Sequence, residues 1–135
     1  MIYLARSLAT VDGAIHAMAG VLPLMMEMTP RLVDFGYVEV ELTRDCLLGP
    51  RGTEIRGHSF HTSRIVAGAE DRTLETSYRV RFSLSGKEQS EGFVRDRVLA
   101  SYAHLHFRAN PAVVPHLMQE IRVAQQARQR EGIGA

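Results

Sequence analysis

The residues best suited to chemistry are two closely spaced histidine pairs, His58 with His61 and His104 with His106. Histidine titrates near neutral pH, so one of them could act as a general base towards a nucleophile within hydrogen-bond reach. On a strand, positions 104 and 106 share a face, so two neutral imidazoles could also hold a metal ion, with His58 or His61 as a third ligand. Structural histidines that donate to backbone carbonyls are a third interpretation. The pattern alone leaves these alternatives open, although no cysteine or carboxylate stands close by to complete a metal site.

Cys46 is the only cysteine and could form a nucleophilic pair with a histidine. It lacks the small neighbours that let a nucleophile stand exposed on a tight turn after a strand, so we interpret it as a packed or edge residue. Residues 49–52 lack the Lys-Ser/Thr ending of a phosphate loop and a following helix. We therefore expect no ATP or other cofactor to bind within this sequence.

The composition is that of an ordinary globular chain, with 135 residues and 45% hydrophobic residues, and predicts one domain or part of one over residues 1–135. The net charge of +1 gives no field that would attract nucleic acid or an anionic membrane. No apolar run approaches the ~20 residues of a membrane span, and the N-terminus does not resemble a signal peptide. We expect a cytoplasmic protein without nucleic-acid or membrane partners.

The elements that would position the histidines are mostly strands. The apolar spacing of residues 1–8 predicts a helix that begins without a cap. Period-two alternation then predicts strands at residues 37–42, 53–61 and 77–84, and the less polar segment 98–107 predicts a last, central strand. Gly57 inside the second of these indicates a bulge or a close backbone approach.

A C-terminal helix follows from Asn110-Pro111, which is typical of a helix cap and first position. An apolar stripe supports this helix: Val114, Leu117, Met118 and Ile121. The polar segment 125–135 is predicted to fray. The order of helix, strands and helix fits part of an α/β layer structure.

Two segments around the histidine pairs have distinctive sequences. Residues 56–63 read Arg-Gly-His-Ser-Phe-His-Thr-Ser, and residues 99–107 read Leu-Ala-Ser-Tyr-Ala-His-Leu-His-Phe. Together with residues 17–23 and 36–40, which match in order and spacing as well, these segments resemble cobyrinic acid a,c-diamide synthases. The resemblance implies an α/β fold: the C-terminal half of a class I, triad-type glutamine amidotransferase (flavodoxin-like) domain.

The resemblance also implies an activity. Such enzymes use ATP and Mg to activate the a and c carboxylates of cobyrinic or hydrogenobyrinic acid and aminate them with ammonia from glutamine. The partners it implies are glutamine, a corrin precursor, an N-terminal ATP-binding domain and the front half of the amidotransferase domain. The family's nucleophile lies in a Glu-Cys-Gly-Gly turn, which would fall just before Met1; Cys46 does not take its place. We therefore expect a fragment that is inactive alone.

By this resemblance His104 is the catalytic base. The related cobyric acid synthases carry Tyr-x-His-Gly-x-Phe here, which favours His104 over His106. Four further residues are expected near the active site: His58, His61, Tyr102 and His106. Ser59 and Thr62 depart from the family pattern, which leaves the role of the segment from His58 to His61 open. An amidotransferase for another tetrapyrrole and a non-catalytic scaffold module are the alternative functions.

Overall fold

The fold consists of mixed β-sheets followed by a C-terminal helix, as the α/β prediction requires. A computed structural model describes residues 1–66 and 74–132. In chain order the elements are β1 (Ser7–Ala9), β2 (Ile15–Ala17), β3 (Met25–Met28), β4 (Asp34–Leu42), β5 (Glu54–His61), β6 (Ser63–Val66), β7 (Glu75–Phe82), β8 (Glu88–Arg95), β9 (Val98–Ala100), β10 (His104–Leu105) and α1 (Val113–Gly132). No helix in the described part of the chain is long and apolar enough to cross a membrane.

The larger sheet has the strand order β10-β5-β4-β7-β8-β9, and all its neighbours are antiparallel. Its inner face is apolar because alternate residues of β4, β5 and β7 are buried, among them Val40, Ile55 and Val80. On the outer face Arg79 and Glu41 form an ion pair across the strands, with nitrogen and oxygen 2.6 Å apart. The strands predicted at residues 37–42, 53–61 and 77–84 are confirmed.

The larger sheet is curled, because its two edge strands are joined by a very short connection. Only residues 101–103 separate β9 from β10. Four Cα–Cα steps of 3.8 Å cannot span more than about 15 Å, whereas six flat strands about 4.8 Å apart would put the edges roughly 24 Å from each other. The two edges must therefore approach, and the segment 101–103 crosses the remaining gap.

The smaller sheet has the order β2-β1-β3-β6, in which β1 and β3 are parallel. A second apolar cluster lies against it and contains Leu22, Leu24 and Met26 together with Ala100 from β9. Tyr102 also packs against this cluster. Ala103 packs against the apolar core of the larger sheet, so the segment that leads to β10 contacts both apolar clusters.

The helix predicted for residues 1–8 is wrong. A single 3₁₀ turn, Ile2–Leu4, leads directly into β1. The backbone here pairs with a distant segment: Leu22 N–H donates to the Leu4 carbonyl and Arg6 N–H to the Leu24 carbonyl, both at 2.8 Å. Apolar spacing over eight residues could not reveal these long-range hydrogen bonds, which favour an extended chain.

The single central strand predicted for residues 98–107 is also wrong. The segment forms two short strands, β9 and β10, at opposite edges of the larger sheet. Its low polarity reflects packing against both apolar clusters, and not burial on both faces of a central strand. Ala100 is buried in the second cluster, and Leu99 and Leu105 pack against the core of the larger sheet.

The C-terminal helix is confirmed, and the Asn110 side-chain oxygen accepts from Ala112 N–H at 3.1 Å, as expected of a cap. The predicted apolar stripe is mostly exposed, since Val114, Met118 and Ile121 are each over 40% exposed. The fully buried residue is Val113, which lies outside that stripe. Residues 125–132, predicted to fray, lie in α1. Residues 133–135 lie outside the described residues, and the fraying stays a prediction.

Candidate functional site

His104 begins β10, which pairs with the edge of β5. In this antiparallel pair His104 lies opposite His58 and Leu105 opposite Gly57. The approach is close at Gly57, because a Cβ atom added there would lie 2.4 Å from the carbonyl oxygen of His104. Glycine is therefore required at position 57, as the sequence predicts for a close backbone approach.

The side chains of His58 and His104 stack on each other, with ring centroids 4.8 Å apart and an angle of 15° between the rings. Both rings line an open pocket of about 410 Å³ on the outer face of the sheet. Its rim carries three exposed aromatic side chains, Phe35, Tyr37 and Phe60. The His104 imidazole is thus held by backbone pairing and ring stacking while it remains accessible.

A second ring pair lies next to the first along β5. His61 stacks on Tyr102 with centroids 3.7 Å apart, and its Nδ1 donates to the Ser63 carbonyl at 2.7 Å. Nε2 is then the accepting nitrogen of the neutral ring, and it is buried without a hydrogen-bond partner in the described part of the chain. The Tyr102 hydroxyl forms a 2.7 Å hydrogen bond with the buried hydroxyl of Ser63.

The Tyr102 phenol remains neutral under ordinary conditions. Burial raises its pKa, the hydrogen bond with Ser63 opposes that increase, and the charge of Glu91 adds to it. Tyr102 therefore acts here as an aromatic and hydrogen-bonding group that fixes the segment before His104. Its position does not suggest a role as a proton acceptor.

The segment 101–103 is also bound to a buried carboxylate. Glu91, on β8, is 3% exposed and accepts three hydrogen bonds from this segment. Ser101 Oγ donates at 2.6 Å, and the backbone N–H groups of Tyr102 and Ala103 donate at 3.2 Å each. The residues just before His104 are therefore held from two sides, by Glu91 and by the Tyr102–His61 stack.

The structure brings the predicted site residues together as two separate pairs. His58 and His61 are three residues apart on β5, so they point to opposite faces of the strand, and their partners lie on those faces. His106 follows β10, and its backbone N–H donates to the Arg56 carbonyl at 2.9 Å. Within the described residues its side chain forms no hydrogen bond or ring stacking with either pair, so the structure does not join all four histidines.

Cys46 lies elsewhere, near the start of α1. Its carbonyl accepts a 3.1 Å hydrogen bond from His116 Nε2, and its side chain packs against the core of the larger sheet. It lines a different pocket from the one that His58 and His104 share. The geometry agrees with a packed cysteine. The Cys46 thiol is not placed to act as a nucleophile beside His104, because the two residues line different pockets.

Metal ligation has little support from the side chains. Among residues 1–66 and 74–132 no group of three or more His, Cys, Asp or Glu side chains is arranged to hold an ion. The stacking of His58 on His104 explains this pair without a shared ion, since the two rings contact each other through their faces.

Sequence reasoning missed Glu91 and Ser63. Glu91 lies in a polar stretch after the strand predicted at residues 77–84, yet it occupies an inward position of β8 next to the buried Gly92. A carboxylate at an inward position of a strand is costly unless it is hydrogen-bonded. That signal could have identified Glu91, had the inward face of β8 been known.

The chain was compared with known proteins. A family model described as CobB/CobQ-like glutamine amidotransferase domain matches residues 1–112. Among curated proteins, cobyrinate a,c-diamide synthase of Syntrophotalea carbinolica is 36% identical over 111 residues, which are 82% of this chain and 24% of that protein. The synthase of Streptococcus sanguinis is 34% identical over 117 residues, 87% and 25% of the two chains. That of Listeria monocytogenes is 35% identical over 128 residues, 90% and 26%. The chain spans about a quarter of the length of these curated relatives.

Proposed function

The chain belongs to the CobB/CobQ-like glutamine amidotransferase domain family, and we propose that it supplies the histidine side of a glutamine-hydrolysing site, with His104 as the general base. The ammonia would be used to amidate the a and c carboxylates of cobyrinic or hydrogenobyrinic acid in cobalamin biosynthesis. The names of the similar curated proteins support this substrate over another tetrapyrrole.

The observation that carries the proposal is the environment of the His104 ring. It is accessible at a pocket, yet its backbone is fixed by pairing with β5 and its face is covered by His58. Proton transfer to and from a thiol needs a base that is accessible on one edge and fixed in orientation. His61 and His106 do not combine these properties, because His61 is turned towards Tyr102 and His106 lies beyond β10.

In the proposed reaction His104 takes the proton of a cysteine thiol, and the thiolate attacks the amide carbon of glutamine. His104 then returns the proton to the departing ammonia, which leaves a thioester. Water, activated by the same imidazole, hydrolyses the thioester to glutamate and restores the thiol. Each proton taken by His104 is returned within the cycle.

The proposal assigns the nucleophile to a Cys-Gly-Gly turn outside this sequence. Cys46 is unsuitable because it lines another pocket, on the side of α1. Met1 and Tyr102 both pack against the second apolar cluster. A nucleophile turn that approaches along this cluster would therefore reach the segment that precedes His104. We expect this chain alone to hydrolyse glutamine no faster than solution does.

ATP activation of the corrin carboxylates is assigned to another part of the longer enzyme. Residues 49–52 lack the features of a phosphate loop, and no three-ligand cluster for Mg²⁺ exists among the described residues. No step of the proposed reaction in this chain involves ATP or a metal ion.

The test is a fusion protein in which the part of the Syntrophotalea carbinolica synthase that precedes its matched region is joined to residue 1. We expect it to release glutamate from glutamine, and His104→Ala to lower kcat by roughly 10³-fold or more, as loss of a catalytic unit does. His16→Ala is the matched control, because His16 is an exposed histidine on β2. His106→Ala is expected to change kcat by less than about tenfold. Full activity of His104→Ala would refute the assignment and favour a non-catalytic scaffold.

A further inference from the structure

Among the strands of the described residues, none pairs with the connection between β9 and β10. Ala100 lies at one edge of the larger sheet and His104 at the other, so residues 101–103 cross a gap where no described strand offers carbonyl acceptors. Buried backbone N–H groups without a partner are costly. The position of His104 depends on how this crossing is held, because His104 is the next residue.

The carboxylate of Glu91 is the hydrogen-bond acceptor for residues 101–103. One oxygen, Oε2, accepts from Ser101 Oγ and Ala103 N–H, and the other, Oε1, accepts from Tyr102 N–H. Ser101 Oγ accepts from Ala103 N–H as well, at 2.7 Å. The carboxylate and the serine hydroxyl thus replace the missing strand, and both oxygens of Glu91 are used for that purpose.

The crossing requires a carboxylate at position 91, because the groups of residues 101–103 that face it are all hydrogen-bond donors. A carboxylate has two accepting oxygens, whereas the amide of glutamine has one oxygen and one NH₂ donor. Glutamine at position 91 would have to turn its NH₂ group towards either Tyr102 N–H or the Ser101–Ala103 pair. At least one of the hydrogen bonds would be lost and replaced by two donors facing each other.

Glu91 does not touch His104, and it lies on β8, three strands away from β5 in the sheet order. Its effect is transmitted through three consecutive residues whose other side is held by the Tyr102–His61 stack. We propose that Glu91 is a positioning residue: it fixes the backbone immediately before His104 and thereby holds the imidazole against His58 at the pocket. This inference rests on the proposed function only in taking His104 as the base.

The first arm of the test uses the full chain and needs no activity. Glu91→Ala, Glu91→Gln and the control Glu88→Gln are compared by NMR hydrogen exchange. Glu88 lies on the same strand but is exposed. We expect exchange of the Tyr102 and Ala103 amides to be at least tenfold faster in Glu91→Ala, with a smaller increase in Glu91→Gln. The NOE contacts between the His58 and His104 rings should weaken in the same order. Wild-type exchange and NOEs in Glu91→Ala would overturn the proposal.

The second arm measures glutamine hydrolysis in the fusion protein. Displacing a catalytic group by about 1 Å can cost on the order of 10²-fold in rate, so Glu91→Ala should lower kcat by about that factor. Glu91→Gln should lie between it and wild type. The KM for glutamine should stay within about twofold, because the proposal concerns the base and not substrate binding. A purely structural defect would instead lower the fraction of active protein and leave the kcat per active site unchanged.

The outcomes separate the two proposals. If His104→Ala abolishes hydrolysis while Glu91→Ala keeps wild-type kcat, the positioning role of Glu91 is refuted and the proposed function stands. If His104→Ala keeps full activity, the proposed function is refuted and the role of Glu91 in catalysis falls with it. Should Glu91→Ala fail to fold, as judged by circular dichroism, Glu91→Gln and Ser101→Ala decide the question. Each removes only part of the hydrogen bonding, and a kcat equal to wild type in both would overturn the proposal.

Discussion

Gly57→Ala is expected to move His104 without unfolding the protein. The added Cβ would lie 2.4 Å from the His104 carbonyl oxygen and 3.1 Å from its carbonyl carbon, whereas ordinary van der Waals contact begins at 3.4 Å. Both atoms belong to the backbone, so no side chain can turn aside to make room. β10 must therefore move away from β5 by about 1 Å.

The cost in stability should be small because β10 is a two-residue edge strand that can move. Overpacking costs about 1–3 kcal/mol in a rigid core, and we expect about 1–2 kcal/mol here. A domain with the usual 5–15 kcal/mol of stability remains almost entirely folded after such a loss. A displacement of about 1 Å at the base, in contrast, can lower the rate on the order of 10²-fold.

Two assays separate these effects: urea unfolding of the chain, and kcat for glutamine hydrolysis by the fusion protein. Gly86→Ala is the matched control. Gly86 has a φ of 67° with nothing within 4 Å of an added Cβ, so alanine costs about 1–2 kcal/mol of backbone strain without contacting β10. We expect similar unfolding free energies for the two variants, and a large loss of kcat in Gly57→Ala alone. Equal kcat values, or an intact His58–His104 NOE in Gly57→Ala, would refute the reasoning.

Three further predictions concern stability. Tyr102→Phe leaves the buried Ser63 hydroxyl without its hydrogen-bond partner. It should lower the free energy of unfolding, measured in urea, by about 1–3 kcal/mol. The control Tyr3→Phe, at an exposed tyrosine, should change that free energy by less than about 0.5 kcal/mol. Asn110→Ala removes the capping oxygen and should cost about 1 kcal/mol, and Asn110→Asp, which keeps that oxygen, should cost less. Burial raises the pKa of both Tyr78 and Tyr102 above 10.0, so the folded state holds these protons more tightly. The stability they contribute is complete below pH 10 and is lost as the pH rises beyond it. Urea midpoints that stay constant from pH 9 to pH 11 would contradict this.

The parts of the fold that the sequence predicted are those with a local signal. β4, β5 and β7 have alternating residues because one face of the larger sheet is buried and the other is charged. The glycine at position 57 indicated a close backbone approach, which β10 makes. The helix cap at Asn110 depends on neighbouring residues, so it could also be read from the sequence.

The errors arose where distant segments compete with local preference. Residues 1–8 have helical spacing, but their backbone is bonded to the segment around Leu22 and Leu24. The segment 98–107 is apolar enough for one strand, yet the curl of the sheet divides it into β9 and β10. Neither effect can be seen without knowing which strands are neighbours.

The sequence selects positions 58, 61, 102 and 104 as candidates by residue type, and their role in a site stays a prediction. It does not indicate that His58 pairs with His104 and His61 with Tyr102. These pairings depend on the register between β5 and β10, which no local pattern specifies. Glu91 was missed for the same reason, because a buried carboxylate resembles a surface one until its partners are known.

The most direct test of the assignment of His104 is a crystal structure of the fusion protein with its nucleophilic cysteine in place. The account predicts that the cysteine sulfur lies within about 4 Å of a His104 ring nitrogen, with the ring still stacked on His58. A sulfur that lies against His61, or beyond hydrogen-bond reach of His104, would contradict it.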